Sequence, residues 1–392
     1  MALRSVKSLL AAGFSVLCFF FTISVFAQGQ MPETENSTKK EKKKGFDASE
    51  VIFGHVLDAH EFHFFSYESS DGPEHEAAIP LPVLLYSPQK GFSAFMFSKF
   101  NHGEENYKGY ELLNNKKIVA QNLDATKYTD GQIVAVDDNG QIDTAIKVFD
   151  FSLTRNVVQM IIALTLLVWI MLSIAKRYKS GQGITSAPKG VQSLLEPVIL
   201  FVQDDVAKPN LGNKYKKYLP YLLTVFFFIL INNLVGLIPG TANVTGNIAF
   251  TFVLAIISFI VIMFSTKGHY WAHIFNPPVP VGIKPILIPV EILGIFTKPI
   301  ALMIRLFANM IAGHIIIICL ISLIFIFGAL SAGAGWGFSP LSIAFTIFIY
   351  FIEILVAFLQ AYIFTNLTAV FIGQAFEGSH DDTDHHEDAV LV

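Results

Sequence analysis

Apolar residues form five long runs in the last two thirds of the chain, with polar loops between them. The runs cover residues 157–175, 218–238, 248–264, 286–327 and 341–375. A helix needs about 20 consecutive apolar residues to cross the hydrocarbon core of a bilayer, and each run approaches or exceeds that length. The pattern therefore predicts an all-α polytopic membrane protein with five membrane-embedded helices.

A sixth segment, residues 191–208, places apolar residues at helical spacing among Glu196, Asp204 and Asp205. This pattern is typical of a helix that lies on the membrane surface. The surrounding loop, 176–217, carries eight Lys and Arg residues. Because such residues concentrate in cytoplasmic loops, the loop and its surface helix are predicted to be cytoplasmic. Five crossings then place the segment before residue 155 outside the cytoplasm and the C-terminus inside it.

The chain before the first run divides into three parts. Arg4 and Lys7 precede an apolar run that ends at Ala27, which predicts a signal peptide over residues 1–27, with an uncleaved anchor as the alternative. Residues 28–45 are polar and Lys-rich, as in a disordered linker. Residues 46–154 contain strand-like stretches at 60–67 and 92–99 and an Asn139-Gly140 hairpin turn, which predict a small β-rich extracytoplasmic domain.

The rest of the chain is then a membrane domain, 155–376, and an acidic cytoplasmic tail, 377–392. The composition agrees, with 53% hydrophobic residues and a mean hydropathy of +0.53. Cys18 and Cys319 both lie in apolar runs, so we expect no disulfide framework. The spacing of His55, His60 and His63 matches no well-defined metal site. Neither a metal nor a cofactor nor a nucleic-acid partner is expected.

One arginine, Arg305, lies within about forty residues that are otherwise nearly uncharged. A guanidinium in hydrocarbon costs several kcal/mol, so such a residue usually has an ionic partner or belongs to an ion pathway. The alternative is an anchor whose side chain reaches the bilayer surface. Arg305 is about nineteen and twenty-two residues from the ends of its run, which is too central for that alternative.

Polar residues on the last two runs match in depth when these runs are treated as an antiparallel hairpin that turns near Gly333. His314 and Glu353 then have nearly equal depth, as do Arg305 and Gln360. His314 is nine residues after Arg305 and points to the opposite side of the helix. This arrangement predicts an ion path that a fixed cation interrupts. The alternative is a set of buried polar groups that only satisfy one another.

Two further features concern the helix face of Arg305. Ala301, Ala308 and Ala312 surround the arginine at helical spacing, and small side chains let a neighbouring helix approach closely. Glu291, fourteen residues earlier, returns close to the same face. The sequence thus predicts one acid on the cytoplasmic side of Arg305, and the pair of His314 and Glu353 on the outer side.

Three segments resemble the signature segments of subunit a of the F-type ATP synthase, which forms the stator half of its ion channel. They are TKPIALMIRLFANMIAGH (297–314), NNLVGLIPG (232–240) and LQAYIFTNLTAVFIGQA (359–375). The resemblance extends over roughly residues 150–376. It implies a non-catalytic stator subunit with two offset half-channels, which moves protons against a ring of c subunits. The other implied partners are the b-subunit peripheral stalk, the rest of the synthase and the lipid of a bacterial inner membrane.

The resemblance also implies residue roles. Arg305 would be the essential stator arginine, with Asn309 and Gln360 as polar neighbours. Glu291 would belong to the cytoplasmic half-channel, and His314 with Glu353 to the periplasmic one.

Three features depart from the family pattern. Many bacterial members carry the acid where this chain has His314 and the histidine where it has Glu353. Some members have an acid where this chain has Gly236. The exported segment is larger than the short amino terminus of familiar members.

Two alternative functions come from other classes. A secondary transporter or channel that works alone would usually show two related halves, and the sequence contains no such internal repeat. A scaffold for membrane assembly would explain the surface helix but not Arg305. The coupled ion, H⁺ or Na⁺, stays open because the binding carboxylate would lie on the partner.

Overall fold

The computed structural model describes residues 58–375 with gaps, and these residues belong to two compact units. The first unit comprises Met1–Ile161, Ile238–Val244 and Ile318–Ala344, and the second comprises Ile162–Leu237, Thr245–Ile317 and Phe345–Val392. The predicted signal peptide, linker and acidic tail lie outside the described residues. The internal gaps are 69–73, 182–186, 267–270, 272–273, 276–279 and the single positions 104, 122, 125, 126, 138, 139, 144, 145, 189, 239 and 281.

The expected β-rich domain is present, and its described residues form three small antiparallel sheets and one short α-helix. Strand β1 pairs with β2, β3 lies between β4 and β7, and β5 pairs with β6. A 3₁₀ helix, Phe97–Gly103, follows β4. The elements are β1 (Glu61–Glu68), β2 (Glu74–Pro80), β3 (Pro82–Ser87), β4 (Gly91–Met96), β5 (Tyr110–Leu112), α1 (Asn115–Ala120), β6 (Ile133–Ala135) and β7 (Phe149–Asp150).

The core of this domain lies against one face of the β3 sheet. Val83 and Leu85 alternate along β3 and point into a buried cluster with Phe97, Phe100 and Tyr110. Since side chains alternate along a strand, the residues between them point to the other face. Among the described residues, this hydrophobic core lies on one side of the three-stranded sheet, and a second, smaller cluster involves α1.

The strand predictions were right at β1 and partly right elsewhere. The stretch 92–99 is a strand only to Met96. Asn139 of the predicted turn lies outside the described residues, and Val136 and Ile142 on either side of it form a β-bridge. The chain after the turn does not continue that hairpin, because Phe149 and Asp150 pair with β3 instead.

All five predicted membrane helices are confirmed as helices of sufficient length and hydropathy. Helix α3 (Val191–Phe201), the π-helical segment Val202–Ala207 and α4 (Lys208–Leu211) form the helix predicted at 191–208. The five long helices are α2 (Arg155–Lys179), α5 (Tyr215–Gly236), α6 (Ile248–Ser265), α7 (Lys284–Leu330) and α8 (Ala332–Gln374).

The segment that includes α3 packs against the last helix. The ring of Phe201 lies 5.4 Å from that of Tyr362, and Asn210 donates from Nδ2 to Oδ1 of Asn366 at 2.9 Å. Gly373 contacts the backbone of Asn210 so closely that a Cβ at position 373 would overlap the carbonyl oxygen. The last third of α8 is thereby held by a neighbouring segment.

The turn predicted between the last two membrane helices is much shorter in the structure than the sequence indicated. Residues 328–340 are helical except at Ser331, whose hydroxyl accepts a hydrogen bond from the Ala334 amide and begins α8. One glycine of this segment, Gly335, serves close packing. A Cβ at Gly335 would lie 2.8 Å from the Cα of Gly328, so the two helices touch through their backbones.

Candidate functional site

Arg305 lies on the exposed side of α7. Ala301, Ala308, Asn309 and Ala312 are exposed beside it. The guanidinium has no hydrogen bond or ion pair with any residue in the described part of the chain. Near Arg305, the buried face of α7 is apolar and includes Leu302, Leu306, Met310, Gly313 and Ile317.

Gln360 contacts Arg305 through the backbone. Its Nε2 donates to the carbonyl oxygen of Arg305 at 3.4 Å, and its side chain is buried. The two residues therefore have the equal depth that the hairpin count predicted. This bond joins α8 to α7 on the side away from the guanidinium, so Gln360 holds the helix that carries the arginine.

Glu353 is buried against α7, with only 4% of its surface exposed. Its carboxylate occupies the space where residue 313 would carry a side chain, so a Cβ at Gly313 would overlap both carboxylate oxygens. The Oε1 atom has no hydrogen-bond partner among the described residues. A buried acidic group with an unbonded oxygen in an apolar helix is a candidate for a functional role.

His314 directly follows Gly313 in α7 and is half-buried. The structure therefore brings Glu353 to the residue adjacent to His314, close to the depth that the sequence count gave. Glu291 is half-buried on the same helix. It lies fourteen residues before Arg305, which is about 21 Å along a helix axis, so Glu291 is not part of the Arg305 and Gln360 contact.

Two features of the site were missed in the sequence. Gly313 leaves the space that the carboxylate of Glu353 occupies. A glycine inside a long helix costs about 1 kcal/mol relative to alanine, and this cost was the sequence signal that position 313 has a special role. Asn233 is fully buried in α5 and donates from Nδ2 to the carbonyl oxygen of Ala357, at 3.3 Å. The pair Asn232 and Asn233, in an otherwise apolar run, indicated a buried polar contact.

The five long apolar helices, the unpaired outward arginine and the buried acid define a polytopic membrane protein of the ion-translocating class. A family model described as ATP synthase A chain matches residues 157–373, which is more than half of the chain. The chain belongs to this family. Residues 51–151 match a second family model, which is described as a domain of unknown function.

Three relatives illustrate the similarity. The ATP synthase subunit a of Chloroherpeton thalassium is 48% identical over 239 residues, which cover 60% of this chain and 69% of the relative. ATP synthase subunit a 2 of Chlorobaculum tepidum is 46% identical over 253 residues, 61% and 67% of the two chains. The subunit a of Myxococcus xanthus is 40% identical over 246 residues, 61% and 78%. The chain is thus a stator subunit of the membrane part of an F-type ATP synthase, and a stand-alone transporter is not favoured.

Proposed function

We propose that Arg305 separates two offset half-channels and faces a ring of c subunits, each of which carries a carboxylate. The observation that carries this proposal is the exposed, unpaired guanidinium on a membrane helix. A cation in that position requires a counter-charge from another protein. The exposed alanines at 301, 308 and 312 support the proposal, because they leave room for a partner helix.

In this proposal Arg305 controls the charge of each passing carboxylate. Near the guanidinium the ionised form is favoured, so the carboxylate must release its proton before it can pass. On leaving, the carboxylate enters lipid at low cost only after it binds a proton again. The planar guanidinium can hold one carboxylate while it releases another, which a lysine ammonium does less well. Rotation then proceeds in the direction set by the two half-channels.

Glu353 and His314 form the outer half-channel in this proposal, and Glu291 belongs to the inner one. The burial of Glu353 and its place beside Gly313 support a proton-exchanging role. An imidazole such as His314 can accept and release protons near neutral pH. Gln360 and Asn309 are the polar neighbours of Arg305. The hydrogen bond from Gln360 to the carbonyl oxygen of Arg305 fixes the position of the arginine relative to α8.

The proposed orientation follows from charge. The eight Lys and Arg residues of 176–217 support a cytoplasmic location for that loop and for the C-terminus, with the N-terminal domain in the periplasm of a bacterial inner membrane. One charge crossing 100 mV releases about 2.3 kcal/mol, so several must pass for each ATP. The chain supplies the path and no ATP chemistry, which belongs to other subunits. The b-subunit stalk would hold it against the torque.

The test is ATP-driven proton pumping by assembled complexes in inverted vesicles. We expect Arg305→Ala to abolish pumping and Arg305→Lys to reduce it to near the background, because the lysine keeps the charge but loses the fork. Arg177→Ala, which removes an equal charge at the end of α2, is the control and should pump normally. Pumping at the wild-type rate by Arg305→Lys would contradict the proposed role.

A further inference from the structure

The sheet β4-β3-β7 of the N-terminal domain packs against the hydrophobic core with one face and is also apolar on the other. One face contains the core residues Val83 and Leu85. Residues opposite each other on neighbouring antiparallel strands point to the same side, so the register gives the composition of the other face. Two rows cross it, Phe92 with Tyr86 and Phe149, and Ala94 with Leu84 and Phe151.

A third row completes this surface, which we call the outer sheet face. Met96 lies opposite Pro82, and the Leu153 amide donates to the Pro82 carbonyl oxygen at 3.3 Å. All nine positions are apolar or aromatic, and none is charged. Phe92 is 66% exposed, and Tyr86, Met96 and Phe151 are exposed too. An antiparallel sheet with a core on one side ordinarily has polar residues on the other.

The size of the outer sheet face matters as much as its composition. Three strands about 4.8 Å apart and three rows almost 7 Å apart give an area of roughly 300 Å². Contiguous exposed apolar patches of about this size are often functional interaction sites. The position of the patch in the chain then shows which partner fits it.

The outer sheet face continues directly into a membrane helix. Leu153 is two residues before Arg155, where α2 begins. The Arg155 amide donates to the carbonyl oxygen of Ala59 at 2.9 Å, and the Asn156 amide donates to Oδ1 of Asp58 at 3.3 Å. The first turn of α2 is thereby bonded to the domain. At no more than about 3.6 Å per residue, Leu153 lies within about 7 Å of the Arg155 Cα.

We propose that the outer sheet face binds the interfacial region of the bilayer, next to the point where α2 enters it. The aromatic and aliphatic composition fits, because aromatic residues favour the level of the lipid headgroups. Because the outer sheet face is continuous with α2, it stays within reach of lipid, and its binding to lipid has no further entropic cost. The proposal holds on whichever side of the membrane the domain lies, and it assigns a lipid-binding role to a domain of unknown function.

The experiment places an environment-sensitive fluorophore on this surface in the assembled synthase. Phe92→Cys and, separately, Met96→Cys are labelled in a chain that also carries Cys18→Ser and Cys319→Ser. The complexes are reconstituted into vesicles of phosphatidylcholine and phosphatidylglycerol, with or without phosphatidylcholine that bears a nitroxide near its headgroup. Val119→Cys is the matched control, since Val119 is apolar and 77% exposed on α1, outside the outer sheet face.

Apolar surfaces at the interface lie about 5–10 Å deep, so we expect the nitroxide lipid to remove roughly half or more of the emission at positions 92 and 96. The probe at position 119 should keep nearly all of its emission. Equal emission with and without nitroxide at both 92 and 96 would overturn the proposal. That includes the case in which the emission is blue-shifted but not quenched, which would show that another protein covers the face.

Discussion

The N-terminal domain and the α7–α8 hairpin treat their charged groups in opposite ways. In the domain, Nε2 of His60 lies 3.4 Å from Oδ2 of Asp150, and Lys117 pairs with Glu111. In the hairpin, Arg305 is exposed and unpaired among the described residues, and Glu353 is buried with one oxygen unbonded. Among the described residues, the domain thus pairs these charges within itself, whereas the hairpin leaves the charge of Arg305 unpaired.

This contrast shows which interactions stabilise the fold and which are kept for function. The pair of His60 and Asp150 connects the beginning of the described part of the domain to its end. Charges that the chain leaves unmatched in a membrane helix have no structural benefit to offset their cost. Substitutions should therefore change activity in the hairpin and stability in the domain.

Among the substitutions that test this contrast, Gly313→Ala is expected to have the largest effect on proton pumping. The added methyl group would overlap the Glu353 carboxylate and displace it. Forced overpacking typically costs about 1–3 kcal/mol, so we expect a fall in proton pumping of about tenfold. Gly294→Ala is the matched control, because a Cβ at that position of the same helix meets no atom within 4 Å.

A second substitution checks the cause. Adding Glu353→Asp to Gly313→Ala shortens the acid and should recover part of the pumping rate. If Gly313→Ala pumped as well as Gly294→Ala, the contact between the glycine and the carboxylate would have no role in proton transfer.

An exchange of His314 and Glu353 should have a smaller effect. His314→Glu alone brings two carboxylates together, and their repulsion should slow proton uptake. Adding Glu353→His restores one acid and one imidazole, so the double variant should recover much of the rate. Residues in one network typically couple by about 0.5–3 kcal/mol in a double-mutant cycle of this kind. Strictly additive losses in pumping rate would remove the proposed relay but not the role of Arg305.

The smallest effect should arise in the domain and concern stability alone. Burial acts to raise the pKa of Asp150, but hydrogen bonds with His60 and Ser152 and the charge of His60 outweigh it, so the pKa lies below its usual value. A carboxylate whose pKa is lower in the folded state than in the unfolded state stabilises the fold when the pH is above its unfolded-state pKa. This stabilisation is lost as the pH falls through the folded-state pKa. The wild-type domain should therefore lose stability below about pH 4.

Asp150→Asn should remove this dependence and leave proton pumping near the wild-type rate. The pH dependence of stability is measured as the protection of the β3 amides from hydrogen exchange in the full chain, corrected for intrinsic exchange rates. Asp137→Asn, at an exposed turn, is the control and should behave as the wild type. An identical loss of protection at low pH in Asp150→Asn and the wild type would show that His60 and Asp150 do not stabilise the domain.

The sequence predicted the membrane helices well because their signal is local. Long apolar runs leave helix as the only way to satisfy the backbone in lipid, and the helix ends differ from the predicted ones by a few residues, except where α8 begins. The depth of Gln360 and of Glu353 also followed from counting along two helices. The segment 328–340 was misjudged as a turn because its glycines have the composition of a loop, whereas in the fold it is helical except at Ser331, and Gly335 contacts the backbone of Gly328.

The domain was harder to predict because its pairing is distant in sequence. Strand β3 was not anticipated, although it is central, and β7 pairs with it from more than sixty residues away. No local pattern shows which strands will meet. Gly313 escaped notice for the same reason, since its role depends on a carboxylate forty residues later.

Helix α7 has 47 residues, which is about 70 Å of helix against a hydrocarbon core of about 30 Å. A helix more than twice as long as the core is thick accommodates the excess by tilting, by kinking or by extending beyond the core. On an oblique helix, distance along the axis is mostly sideways displacement. In the proposed function, Glu291 and His314, about 35 Å apart along α7, would then open to the two sides of the membrane at laterally separate points. The inclination of one helix would thus supply the sideways step that the proposed c ring has to travel.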